Sequence, residues 1–322
     1  MKKKLCIANY ERYLFIDYIR SFSIILMIIG HVGFSNALNK WISSFHMPVW
    51  FILAGYLHNP LYAYVDYIYK KIRTLIVPFL FYGILNAFWS LYEIGDLRLI
   101  SFIWPNSNKL QFSIAGALWF LPAMFFAEVF SYRILSLKRG AFYCIVIGLF
   151  GSFLPIISIH LPFSIDSALV GIGFLGFGKL IGLHKDHLLS FNFFITILIL
   201  LFASVLVFVN SYVNMRSNTY GIIPLYWFNA VLMTIAFLNV FRCLELKMTE
   251  CSLLTKLIIF ISHNSIVFLC FNQVILFCVR NIGHSNNRII MLSYSFLKTI
   301  FVIAVCFLIA KVRRFILDSF NK

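Results

Sequence analysis

Leu14-Phe15-Ile16-Asp17-Tyr18-Ile19-Arg20 opens an apolar run that continues through Ser21-Phe22-Ser23-Ile24-Ile25-Leu26-Met27-Ile28-Ile29 to Gly30-His31-Val32-Gly33. A bilayer-spanning helix takes about 20 mostly apolar residues, and this run supplies them. It nevertheless contains Asp17, Arg20 and His31. An ionised side chain at the centre of a spanning helix costs about 2.5–3.5 kcal/mol on insertion scales, so these side chains need a reason. Arg20 and His31 stand eleven residues apart, which leaves them only ~20° apart around a helix and ~16 Å apart along it. Asp17 lies one turn from Arg20 on nearly the same face, at the spacing of an i,i+3 ion pair. The bland alternative is a snorkelling Arg20 held by Asp17, with His31 capping the far end. It gives no reason for the shared stripe.

The rest of the chain is equally apolar. Of 322 residues, 61% are hydrophobic and 12% charged, with a mean hydropathy of +0.91. A soluble domain carries roughly 25% charged residues, so the apolar side chains must face lipid as well as one another. About ten segments qualify as spanning helices: 14–33, 41–57, 74–92, 115–135, 141–157, 163–183, 191–210, 221–242, 255–280 and 294–312. The ninth is long enough to tilt, kink or break near Asn264. Connections are short, so the expected architecture is an all-α, polytopic helix bundle forming a single membrane domain over 1–322, with no appended soluble domain. No small-residue cleavage site follows the first run, which reads as a retained helix and not as a signal peptide. The seven cysteines have no metal-ligand spacing and mostly fall in apolar runs, where packing is their role.

The net charge of +16 would suggest nucleic acid in a soluble protein. Here it follows membrane orientation, and no nucleic-acid partner is expected. With a cytoplasmic N-terminus, 19 Lys and Arg fall on the inner side and six on the outer (Lys40, Arg98, Lys109, Arg216, Arg280 and Arg288), with Arg20 and Lys298 inside helices. Such a bias is the positive-inside signature. It predicts that both termini are cytoplasmic and that the helix count is even.

In that orientation Arg20 lies in the inner half of the first helix and His31 toward the outer side. Phe45-His46-Met47-Pro48 opens the second segment at a depth similar to His31. Either the two imidazoles converge on one cavity, or His46 is interfacial, with Trp41 and Trp50 as belt aromatics. His58, on the inner side, stands near Lys70-Lys71 and Arg73. That cluster would suit phosphates, but orientation alone also explains basic residues there. Glu128 sits in the inner half of the fourth helix as a partner for a basic group, and Asp166 at the outer start of the sixth, where an extracellular acceptor could reach.

Several ordered stretches carry a resemblance. They are Ile16-Asp17-Tyr18-Ile19-Arg20 with Gly30-His31, Phe45-His46-Met47-Pro48 through Gly55-Tyr56-Leu57, and Lys71-Ile72-Arg73 running to Pro78. Ala117-Leu118-Trp119-Phe120-Leu121, Ser164-Ile165-Asp166 and His263-Asn264-Ser265 follow in order. Together they resemble the integral-membrane acyltransferase-3 family, especially its branch similar to fucose 4-O-acetylases. Ala54 departs from the more usual Ser, and Asn272 and Gln273 stand where many relatives carry a histidine.

The resemblance implies an O-acyltransferase of the cell (inner) membrane. It would move an acetyl group from cytoplasmic acetyl-CoA, with no permanently bound cofactor or metal, to a hydroxyl of a cell-surface or lipid-linked sugar. Arg20, Lys71, Arg73 and His58 would hold the polyanionic CoA head, and the pantetheine arm would run along the first helix to His31, the catalytic base. His46, Asp166 and Trp119 would position the acceptor, and Asp17 would be a structural ion-pair partner. The competing reading is a transporter or flippase of lipid-linked saccharides, also polytopic with charged cavity residues. Its paired broken helices in internal repeats are not seen, and binding of acetyl-CoA separates the two.

Overall fold

The computed structural model describes residues 13–60, 62–110, 112–247, 252–282 and 287–320. Lys2, Lys3, Lys4, Arg12 and Lys322 of the charge tally, with Cys6 and Cys251, lie outside them. The architecture is all-α, and among the described residues the one β contact is an isolated bridge between Asn214 and Thr219. In chain order the helices are α1 Leu14–Val32, α2 Asn36–Ser43, α3 His46–Tyr56, α4 Tyr64–Lys71, α5 Val77–Ile94, α6 Phe120–Ile134 and α7 Gly140–Phe153. They continue as α8 Ile165–Leu183, α9 Lys185–Leu188, α10 Phe193–Val209, α11 Ile223–Lys247, α12 Leu253–His263, α13 Ser265–Cys278 and α14 Arg288–Phe320.

Six helical stretches are long and apolar enough to cross a membrane, or seven if the bent pair α12 and α13 is one span. The expected count of about ten included three helices that fall short of that length: α3, α7 and α10, of 11, 14 and 17 residues. The expected 41–57 segment is divided, because Ser35 caps a separate amphipathic helix, α2, by accepting from the Leu38 N–H at 3.1 Å. The expected 74–92 segment instead runs Tyr64–Ile94. Its basic stretch is helical and widens into a π-helical turn at Ile72–Ile76, where Pro78 cannot donate to residue 74 and crowds its carbonyl. The break foreseen near Asn264 is present, α12 and α13 meeting at 83°. The Asn264 side chain donates to the Phe260 carbonyl at 2.8 Å, a local bond that competes with continuing the helix.

Helix α1 is central and largely buried. It ends at Gly33, whose left-handed backbone (φ 81°) lets its N–H reach the Ile29 carbonyl. Helix α8 packs through bare backbone on two faces. A side chain at Gly178 would meet the Ile52 carbonyl of α3, and one at Gly55 of α3 would meet the Leu175 carbonyl of α8. On the other face Gly173 approaches Gly148 of α7, with the Trp227 ring against both. Small residues at such crossings let dispersion and weak backbone contacts bind helices where lipid supplies no hydrophobic drive. This packing fixes α3, and with it His46, against the rest of the bundle.

Candidate active site

A cavity of about 740 Å³ opens beside the His31 end of α1. Its size is that of a pocket for a small ligand. His31 from α1, His46 from α3 and Trp119, at the start of α6, all line it. Of the two alternatives for His46, the structure takes convergence. His31 is exposed to the cavity and His46 half-buried, while Trp119 is buried. Residues 104–110 and 112–119 and the 210–222 segment cover this end, and Arg216 Nη2 donates to Asn108 Oδ1 at 2.9 Å between them.

The two imidazoles are held in opposite senses. His46 Nδ1 lies 2.8 Å from the Ile42 carbonyl. A carbonyl only accepts, so Nδ1 carries the proton and Nε2 of the neutral ring keeps its lone pair. His31 Nδ1 lies 3.2 Å from Gln273 Nε2. The Gln273 amide is oriented by its other end, since Oε1 accepts from the Ala117 N–H at 2.9 Å. Its NH2 therefore donates to His31 Nδ1, and the proton of the neutral His31 ring sits on Nε2. One ring is a resting acceptor and the other a resting donor. Gln273 thus touches His31 although the sequence marks it only as a departure from the family pattern.

The other end of α1 is polar in a different way. Asp17 is buried and accepts from Ser262 Oγ of α12 at 2.6 Å. Arg20 is half-buried on the same continuous helix, ~16 Å of helical rise from His31. A smaller cavity of about 200 Å³ at this end is lined by Tyr13, Tyr56, Lys179 and Lys185 among others. Lys71 is not free for a phosphate, because Nζ bonds Glu128 Oε1 at 2.6 Å. Arg73 is exposed. His58 packs edge-on against Tyr132, which stacks on Tyr67. Burial and then the Lys179 cation lower the His58 pKa to about 4, so it stands as a neutral donor at pH 7. Glu128 thus has the basic partner expected of it, from Lys71.

Asp166, expected to meet the acceptor, does not line the cavity. It is 1% exposed and accepts from Asn106 Nδ2 at 2.7 Å and from the Ser167 N–H at 2.8 Å. Its carboxylate ties Asn106 to the start of α8. The cavity residues missed from sequence include Gln273, Arg216, Arg280 and Lys298. Lys298 carried a signal, as a lone cation in an apolar helix.

A bundle of long apolar helices enclosing polar cavities defines a multi-pass membrane protein. The chain matches the model of the acyltransferase-3 family, described as an acyltransferase domain, over residues 13–311, and it belongs to that family. The protein is therefore a membrane acyltransferase. No curated protein and no solved structure matches it.

Proposed function

We propose that this protein transfers an acetyl group from acetyl-CoA to a hydroxyl of a cell-surface or lipid-linked sugar, as fucose 4-O-acetylase-like enzymes would. Acetyl-CoA enters from the Arg20 end, taken as cytoplasmic, and the sugar occupies the cavity beside His31. The observation that carries this reading is that one helix joins the two ends. Arg20 is at one and His31, sharing a cavity with His46 and Trp119, at the other. Arg20, with Arg73 and the neutral His58, receives the CoA head, and Lys71 joins them only by leaving Glu128. Lys179 and Lys185 add positive charge at the smaller cavity.

In the reaction the sugar oxygen attacks the thioester carbonyl, the carbon–sulfur bond breaks, and CoA leaves as the thiolate. His31 takes the hydroxyl proton on Nε2. That requires its resting proton to move to Nδ1 and the Gln273 amide to turn and present Oε1, at the cost of the bond that Oε1 accepts from the Ala117 N–H. A second assignment is favoured by the Ile42 carbonyl, which already leaves His46 Nε2 free to accept. In that case His31 donates from Nε2 to the developing oxyanion.

The reading is tested by binding of radiolabelled acetyl-CoA to purified protein. Arg20→Ala is expected to weaken it at least about tenfold through loss of a charge-assisted contact, and undiminished affinity would remove Arg20 from the donor site. Gln273→Glu separates the two assignments of the base. A carboxylate accepts from both Ala117 N–H and His31 Nδ1–H, holding His31 as a base at Nε2 and favouring its protonated form. If His31 is the base, the acidic limb of the rate profile moves to higher pH by about one to three pH units. A superimposable profile would assign the base to His46.

A further inference from the structure

The cavity beside His31 is lined by three cations, Arg216, Arg280 and Lys298, and among the described residues by no Asp or Glu. Arg280 lies over the Phe277 ring at 3.8 Å and 4.0 Å from Glu93 at the rim, so its charge is partly balanced. Arg216 bonds only neutral groups among the described residues, Asn108 Oδ1 through its side chain and Asn214 Oδ1 through its N–H. Lys298 stands within the apolar 33-residue helix α14, half-buried, with no ion pair to any described residue. A cation placed so deep in an apolar helix is costly unless something answers it. The charge bias sharpens the point, because this end is the one where positive residues are scarce. Arg216 and Arg280 are two of only six outer cations in the tally, and both turn up in one cavity with Lys298.

We propose that the acceptor taken by this cavity is an anionic saccharide, whose carboxylate or phosphate is held by Lys298 and Arg216 while its hydroxyl lies beside His31. The word acceptor rests on the acyl-transfer reading above; the charge preference does not. Arginine offers a planar fork to either anion, and lysine a mobile point charge. Trp119 and Phe112 supply apolar wall for the sugar ring. A uronic acid unit and a sugar phosphate, free or lipid-linked, share the chemistry that this lining recognises.

The full-length protein in lipid nanodiscs is titrated with three probes sharing one ring: methyl β-glucoside, methyl β-glucuronide and glucose 1-phosphate. At least one anionic probe is expected to bind about tenfold or more tighter than the neutral one, and the tighter of the two identifies the anion. Lys298→Met and Arg216→Gln are each expected to reduce that ratio, and the double variant to abolish it. Equal binding of all three probes, no binding of the anionic ones, or a preference that survives in the double variant would each overturn the proposal. The comparison of probes on the unmodified protein stands even if a variant misfolds. Acetyl-CoA binding in the same nanodiscs keeps the two readings apart. Its absence beside an intact anion preference defeats acyl transfer, and its presence without that preference defeats the anionic acceptor.

Discussion

Replacing His31 by alanine is expected to lower acyl transfer by about 10²–10⁴-fold while leaving the protein folded. That whole range is what a positioned general base contributes, and loss of an oxyanion donor costs about 10²–10³-fold. Both assignments of the two imidazoles therefore predict a large loss. The fold should survive because the ring faces the cavity and bonds only Gln273 among the described residues. Acetyl-CoA binding should also persist, since the CoA head is assigned to the Arg20 end. The measurement is label transfer from acetyl-CoA in nanodiscs, beside saturation binding of the donor. Turnover within a few-fold of the unmodified protein would end the catalytic assignment of His31. His46→Ala, made in parallel, shows whether the second ring carries comparable weight.

The second large effect is on the fold. Gly178→Val is expected to destabilise the bundle by about 3 kcal/mol, at the upper end of overpacking costs, because the new side chain meets backbone that cannot rotate away. The Ile52 carbonyl of α3 occupies that space, so α3 and α8 must separate along their length. His46 begins α3, and separation would displace it from the cavity as well. Thermal unfolding in detergent and elution on a sizing column give the readout. A variant with unchanged midpoint and a single sharp peak would show that the α3–α8 approach is not needed. Gly33→Ala is the useful contrast, since no atom stands near a side chain there and the strain is only that of its positive φ.

What could be read in advance was what depends on one helix at a time. The α1 limits were legible because a long apolar run meets a glycine at Gly33, and the break near Asn264 because a run too long for one span contains a polar triplet. The shared face of Arg20 and His31 is helical arithmetic, and it holds because α1 is uninterrupted. Helix α2 was hidden by its amphipathic pattern, and the start of Tyr64–Ile94 by Lys70, Lys71 and Arg73, which resemble a loop but stay helical. The burial of Asp166 was not legible because it depends on Asn106, which comes from a different segment. Gln273 and Arg216 reach the cavity only through the 83° bend and the fold of the 210–222 segment, and no spacing along the chain encodes either.

The short stature of α7 bears on the lipid around it. Its 14 residues rise only ~21 Å, against about 30 Å of hydrocarbon in an ordinary bilayer. Its outward side chains, Phe142, Phe150 and Phe153 among them, are exposed and apolar, so lipid tails must meet them. Past Phe153 the chain continues in hydrogen-bonded turns, the Ile156 N–H donating to the Phe153 carbonyl and the Ile159 N–H to that of Leu154, with Ile156, Ile157 and Ile159 exposed. These turns lengthen the apolar surface beyond the helix without leaving their peptide groups to the lipid, so acyl tails can pack past the end of α7 as well as along it.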